Sequence, residues 1–281
     1  MIYPANVGEY LSIDEVSLSN GELYTFVTNK IGRGKRGSLV ASIKDTRSQD
    51  IIDTLERLPL ESRKNVREIT LDMAKNIESA VRMTFPEALL VTDRFHVVKL
   101  VMEALQHLRI KKRWEELDKE NDLILKFKSE GKKYKSKEFS NGDTPKQLLA
   151  RSRYIIVKKE IQWTENQRER AEILFKEHPD LHVAYKHSLA FRSIYEEKLR
   201  TTAERRFKEW INNTFEKELK TFYTTANTVK TNFENILTFY TNRNTNANAE
   251  SFNAKIKLFR ANLRGVTDTA FFLFRLEKLF A

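Results

Sequence analysis

Four acids in this 281-residue chain stand where chemistry could be done: Asp14 in "YLSIDEV", Asp72 in "VREITLDM", Asp93 in "VTDRFHVV" and Glu250 in "TNANAESFNAKIKLFRANLRG". Asp14 falls mid-strand. Leu11 and Ile13 alternate away from it, so Tyr10, Ser12, Asp14 and Val16 share one strand face. An acid inside a strand is disfavoured by propensity and costly when buried. A metal ion would offset that cost; a solvent-facing Asp14, with Glu15 turned inward, would avoid it. Asp72 and Asp93 each close a strand and precede a helix, where an aspartate serves equally well as an N-cap. His96 follows Asp93 by three residues. Asp-x-x-His can be a metal pair, or a capping aspartate with a histidine packed in the first helical turn.

Glu250 heads a helix, and the helix dipole alone would favour an acid there. Phe252, Ile256, Phe259 and Leu263 form its apolar stripe, and Glu250, Asn253, Lys257, Arg260 and Arg264 follow one another on an adjoining face. Arg243 and Lys255 add to the positive charge. A carboxylate at the head of a basic row can hold a divalent ion against a phosphodiester while the cations take flanking phosphates. Two-metal phosphoryl transfer needs several carboxylates around ions about 3.5–4 Å apart. Hard oxygen ligands in a chain without Cys suit Mg²⁺ or Mn²⁺. Other chemistry has little support. "GRGKRG" lacks the GK[ST] of a phosphate-binding loop. His178, His182 and His187 cluster around a proline and are expected at the surface.

The acids need elements to position them. "EYLSIDEVSL", "ELYTFVTNK" and "SLVASIKD" are strand-like, with "SNG" and "GRGKRG" as turns, and make an antiparallel meander. "SQDIIDTLERLP" has helical spacing and stops at Pro59. "VREITLDM", the helix "AKNIESAVRMTF", "EALLVTD" and the helix from Phe95 onward complete a β-β-β-α-β-α-β-α order, a mixed sheet covered by helices. The meander grows to one side of strand one. A crossover that returns on the other side sets "ITLD" beside "SID", at the reversal of strand order where open α/β sheets place their sites.

From about Val101 to Thr241 the pattern is helical and densely charged, broken by the polar, basic stretch Lys126–Lys146. Fifty Lys and Arg against 39 Asp and Glu give a net charge of +11, which favours a polyanion such as nucleic acid. The absence of Cys removes disulfides and thiol catalysis and fits a reducing cytoplasm. No apolar run approaches the roughly 18 residues that span a membrane, and "MIYPANVGEY" lacks a signal-peptide layout. Trp163 reads as a core residue more than as part of a DNA path.

"LSIDE", "ITLDM", "FPEALLVTDRFHVVKLVMEALQHLR" and "TNANAESFNAKIKLFRANLRGV" resemble the DDE transposases of bacterial insertion sequences, of the ISL-three family. "ARSRYIIVKKEIQWTENQ" and "HPDLHVAYKHS" resemble that family's helical region. The resemblance implies a ribonuclease H-like α/β fold: a mixed five-stranded sheet flanked by helices, with a large all-α insertion after the fifth strand. The expected parts are a first core segment 1–100, the insertion 101–241, and the C-terminal core helices 242–281. It implies an acidic triad that by position is Asp14, Asp72 and Glu250, holding Mg²⁺ or Mn²⁺. Asp93 is the rival for the second place. It follows a strand one step further from Asp14, and with His96 it looks like the Asp-x-x-His pair of related transposases. Asp93, His96 and Asn253 are therefore given structural or auxiliary places, and Arg243, Lys255, Lys257, Arg260 and Arg264 DNA-binding places.

The resemblance further implies DNA as partner, a homo-oligomer on DNA, and a cytoplasmic, nucleoid-associated location. One departure stands out. The family carries an N-terminal zinc-binding and helix-turn-helix region, whereas this chain starts near strand one. The expectation is a split transposase whose end recognition sits on a separate polypeptide. A non-catalytic remnant and a structure-specific nuclease are the other readings.

Overall fold

The computed structural model describes residues 1–17, 23–243, 247–262 and 268–281, with 247–250 and 269 in backbone only. The strand-like stretches become β1 (Tyr10–Ser17), β2 (Leu23–Asn29) and β3 (Leu39–Lys44). Then follow α1 (Ser48–Leu55), α2 (Leu60–Lys64), β4 (Glu68–Leu71), α3 (Lys75–Thr84) and β5 (Leu89–Thr92). The sheet order is β3-β2-β1-β4-β5, with β1–β2 and β2–β3 antiparallel and β1–β4 and β4–β5 parallel. This is the mixed five-stranded sheet read from the sequence, and strand order reverses between β1 and β4. The "SNG" turn lies outside the described residues.

After β5 the chain is helical: α4 (Arg94–Ser129), α5 (Pro145–Arg151), α6 (Glu165–Glu177), α7 (Pro179–Ile194), α8 (Arg200–Glu216) and α9 (Tyr223–Thr231). Then come α10 (Phe233–Asn242), α11 (Ala247–Asn262) and α12 (Thr269–Phe280). The chain divides into two compact units, Met1–His96 with Asn232–Ala281, and Val97–Thr231. Helix α10, inside the 101–241 stretch of the sequence reading, clusters with the first unit and packs against β5.

In the first unit the pleat sends alternate side chains to opposite faces. Leu11, Ile13, Ile69, Leu71 and Leu90 meet Ile51 and Leu55 of α1 and Ile77 and Val81 of α3 on one face. On the other, Val16, Tyr24, Phe26 and Leu39 meet Phe252 and Ile256 of α11 and Phe272 and Leu276 of α12. Each such buried side chain contributes about 1.5–3 kcal/mol. Phe252, Ile256 and the half-buried Phe259 are thus the anchors of α11, as their spacing implied. Leu263, the fourth of that stripe, lies outside the described residues.

The helical unit corrects one expectation. His187 is not a surface residue: it is buried, its ring stacks on Trp210 at 4.5 Å between centroids, and its Nε2 lies 2.8 Å from Thr214 Oγ1. Pro179 is the reason. It does not interrupt a helix but begins one, since a proline at the first position loses no hydrogen bond. His187 therefore falls on the buried face of α7, between Ala184 and Phe191. Burial pushes its pKa down to about 4. Trp163 packs within this unit; its Nε1 donates to the Ile155 carbonyl (3.0 Å) and its ring stacks on Tyr185.

Candidate active site

The β1–β4 ladder pairs Ser12 with Thr70, and the β4–β5 ladder pairs Leu71 with Thr92. Two residues beyond the first pair stand Asp14 and Asp72; one beyond the second stand Asp72 and Asp93. The Asp93 amide extends that ladder by donating to the Leu71 carbonyl at 2.9 Å. Three aspartates thus lie in one register row, Asp14 within β1 just past its ladder with β4, and Asp72 and Asp93 at the C-terminal ends of β4 and β5, about 4.8 Å apart from strand to strand. In-register neighbours face the same way, and this is the face that α11 and α12 cover.

The three differ in their bonds. Asp14 is half-buried at the β1 end of the row; its Oδ1 accepts from the Glu15 amide (2.9 Å) and its Oδ2 accepts from Asn253 Nδ2 (2.5 Å). Its carboxyl is pushed up to about 6 by burial, opposed by the Glu15 amide and His96 and reinforced by Asp72 and Asp93. Asp72, half-buried, accepts through Oδ1 from the Ala74 amide (2.9 Å) and so shapes the turn into α3. Asp93 is buried; its Oδ1 accepts from the Phe95 amide (3.3 Å), capping α4, and its Oδ2 lies 3.8 Å from His96 Nε2. Glu15, on the opposite face, is also raised, first by burial and then by Asp72 and Asp14.

Asn253, read as auxiliary, is what ties α11 to β1. Glu250 precedes it by three positions in the same helix, a spacing that shares one helix face. The side chain of Glu250, like all of Arg264, lies outside the described residues. Lys255 donates to the Gly34 carbonyl at 2.7 Å, docking α11 on the "GRGKRG" turn. Gly34 has φ +66°, a left-handed conformation that favours glycine, and a Cβ there would stand 3.1 Å from the Lys255 ammonium, which would have to shift slightly. Half-buried Arg260 stacks over the Phe272 ring at 5.2 Å. Arg243 ends α10 at φ 54° with its guanidinium over Phe239 and Tyr240. Lys257 is exposed.

Beneath the aspartate row is a polar group that sequence reasoning missed. Buried Lys30, just after β2, reaches across β1 to donate to Glu68 Oε1 (3.3 Å) and to Thr70 Oγ1. Glu68 Oε2 accepts from Asn242 Nδ2 at 2.9 Å, at the end of α10. Burial pushes the Lys30 ammonium down, and Glu68 beside it holds it up. A signal existed: Glu68, Thr70 and Asp72 alternate onto one face of a strand with parallel neighbours on both sides, where an acid needs a partner.

Among the described residues, no three His, Asp or Glu side chains close on a single point as a complete metal site would. The donor chemistry nonetheless fits a hard divalent cation. Asp14 and Asp72 are adjacent oxygen donors, burial and then like charges raise Asp14, and the buried Asn253 Oδ1 beside Asp14 has no hydrogen-bond partner among the described residues.

Residues 11–276 match the family of ISL-three-type DDE transposases, whose description is Transposase. The match takes in both compact units, and the chain belongs to this family. Its sheet is a ribonuclease H-like α/β transposase core, and DNA is the substrate the family implies. No curated protein and no solved structure gives a significant match. No helix among the described residues is long and apolar enough to cross a membrane.

Proposed function

We propose that this chain is the catalytic subunit of an insertion-sequence transposase, which cuts DNA at the element's ends and joins the freed 3′-hydroxyl to target DNA. The reading rests on Asp14 and Asp72 adjacent on parallel strands, just past the end of the β1–β4 ladder, with α11 held to Asp14 by Asn253. Asp14, Asp72 and Glu250 are assigned as the acids that hold Mg²⁺ or Mn²⁺. When bound, such an ion lowers the pKa of the attacking water or 3′-hydroxyl and offsets charge on the leaving oxygen. Asn253 holds the Asp14 carboxylate in its rotamer. Asp93 is assigned a positioning role, because it already caps α4 and faces His96. Lys257, Arg243 and Arg264 are assigned to backbone phosphate, which gives affinity without reading sequence. Lys255 and Arg260, read from the sequence as DNA contacts, are assigned first to holding α11.

The test is a cleavage and strand-transfer assay with Mg²⁺ on labelled element ends and target DNA. Asp14→Ala, Asp72→Ala and Glu250→Ala are each expected to reduce both steps by about 10³-fold or more, while Asp93→Ala keeps measurable cleavage. Activity surviving in Asp72→Ala but lost in Asp93→Ala would sink the assignment. Cutting without joining would favour a nuclease, and binding without cutting a repurposed remnant.

A further inference from the structure

Helix α4 has two apolar faces. One, with Val101, Leu105 and the stem of Arg109, is buried. On another side Ile110, Trp114, Leu117, Asn121 and Ile124 recur at steps of four, three, four and three. At 3.6 residues per turn these five fall within about 40° of one line along the helix. Ile110 and Ile124 are each 42% exposed and Trp114 is 61% exposed, while Leu117 is half-buried. Large apolar side chains left in water at that period are a seam without its other half.

We propose that this seam is where a second copy of the chain docks, as a short parallel two-stranded coiled coil along α4. Three observations choose that occupant. The 4-3-4-3 period is that of core positions in a left-handed coiled coil. Asn121 is the one polar residue in the seam; set against its own copy it makes a side-chain hydrogen bond that fixes register and favours two strands. In a parallel pair the flanking Arg113 meets Asp118 of the other copy, five positions on. Both are exposed, and neither has an ion pair among the described residues. Their neighbours are already engaged: Lys112 with Glu115 and Asp180, Lys119 with Glu116, and Glu120 with Lys146. The five seam residues carry no positive charge, which argues against DNA as the occupant. The assignment does not depend on the catalytic reading above.

Sedimentation equilibrium on the DNA-free full chain tests it. The expected result is a reversible monomer–dimer equilibrium. Trp114→Glu with Ile124→Glu abolishes it without changing the far-ultraviolet circular dichroism. Arg113→Glu weakens the dimer by about tenfold or more, and adding Asp118→Arg restores it. The chain has no cysteine, so Asn121→Cys is a unique reporter. Mild oxidation should link its dimer covalently, whereas Asp122→Cys, off the seam, should not link. A wild-type chain that stays monomeric overturns the proposal, as does a dimer indifferent to the two glutamates or a charge swap that fails to restore association. A monomer whose DNA affinity falls with Trp114→Glu would give the seam to DNA and overturn it as well.

Discussion

Asp14 carries a negative charge in a place that disfavours one. Burial raises its pKa to about 6, and Asp72 beside it and Asp93 one strand further push the same way. The sign of the linkage follows. Between the ordinary carboxylate value near 4 and about 6, the folded protein holds a proton that the unfolded chain has released. Stability from this group is complete below about pH 4 and is lost as pH rises through 6. A shift of about two units corresponds to about 3 kcal/mol as an upper bound. Asp14→Asn should therefore make the metal-free protein more stable at pH 7–8, by up to that amount, and flatten its stability between pH 4 and 6. Denaturant midpoints in a chelating buffer across that range check this; a variant no more stable than wild type at pH 8 would refute the account. The same residue that costs stability is the one offered to a cation, and strongly perturbed acids gather at sites of this kind.

At the scale of elements, Lys30 and Glu68 join three pieces of backbone: the end of β2, the strand that leads to Asp72, and, through Asn242, the end of α10 just before α11. A buried charge left alone costs far more than a buried pair removed together. Lys30→Met should destabilise by about 3–5 kcal/mol, and Lys30→Met with Glu68→Leu should recover most of it. Equal destabilisation in the single and double variants, by urea titration, would show that the pair is not coupled. This group also marks the limit of what could be read beforehand. β1, β4 and β5 were legible because alternation and short links are local, and from them came the pairing of Asp14 with Asp72. The stripe Phe252–Ile256 was legible for the same reason. The bonds from Asn253 to Asp14 and from Lys30 to Glu68 were not, because each joins distant segments and depends on how a helix or a turn seats on the sheet. His187 was misread because a proline can begin a helix as readily as end one.

Across the whole molecule the charge is +11, and the sequence reading gave that surplus to DNA. Cations that touch phosphate release counterions, so log Kobs falls linearly with log salt, with a slope near −0.9 per phosphate neutralised. The row on α11 is not uniform in this respect. Lys257 is exposed and is assigned to phosphate alone. Lys255 spends a donor on the Gly34 carbonyl, and Arg260 lies over Phe272. Lys257→Ala should therefore weaken binding evenly across DNA sequences and reduce the magnitude of the salt slope by about 1, with no change in melting temperature. Arg260→Ala should instead lower the melting temperature, because the guanidinium packs as much as it charges. Fluorescence anisotropy over a salt series, read beside thermal melts, separates the two effects. If Lys257→Ala leaves the slope unchanged, the exposed face of α11 does not lie against DNA, and the positive charge that binds it must be sought elsewhere on the chain.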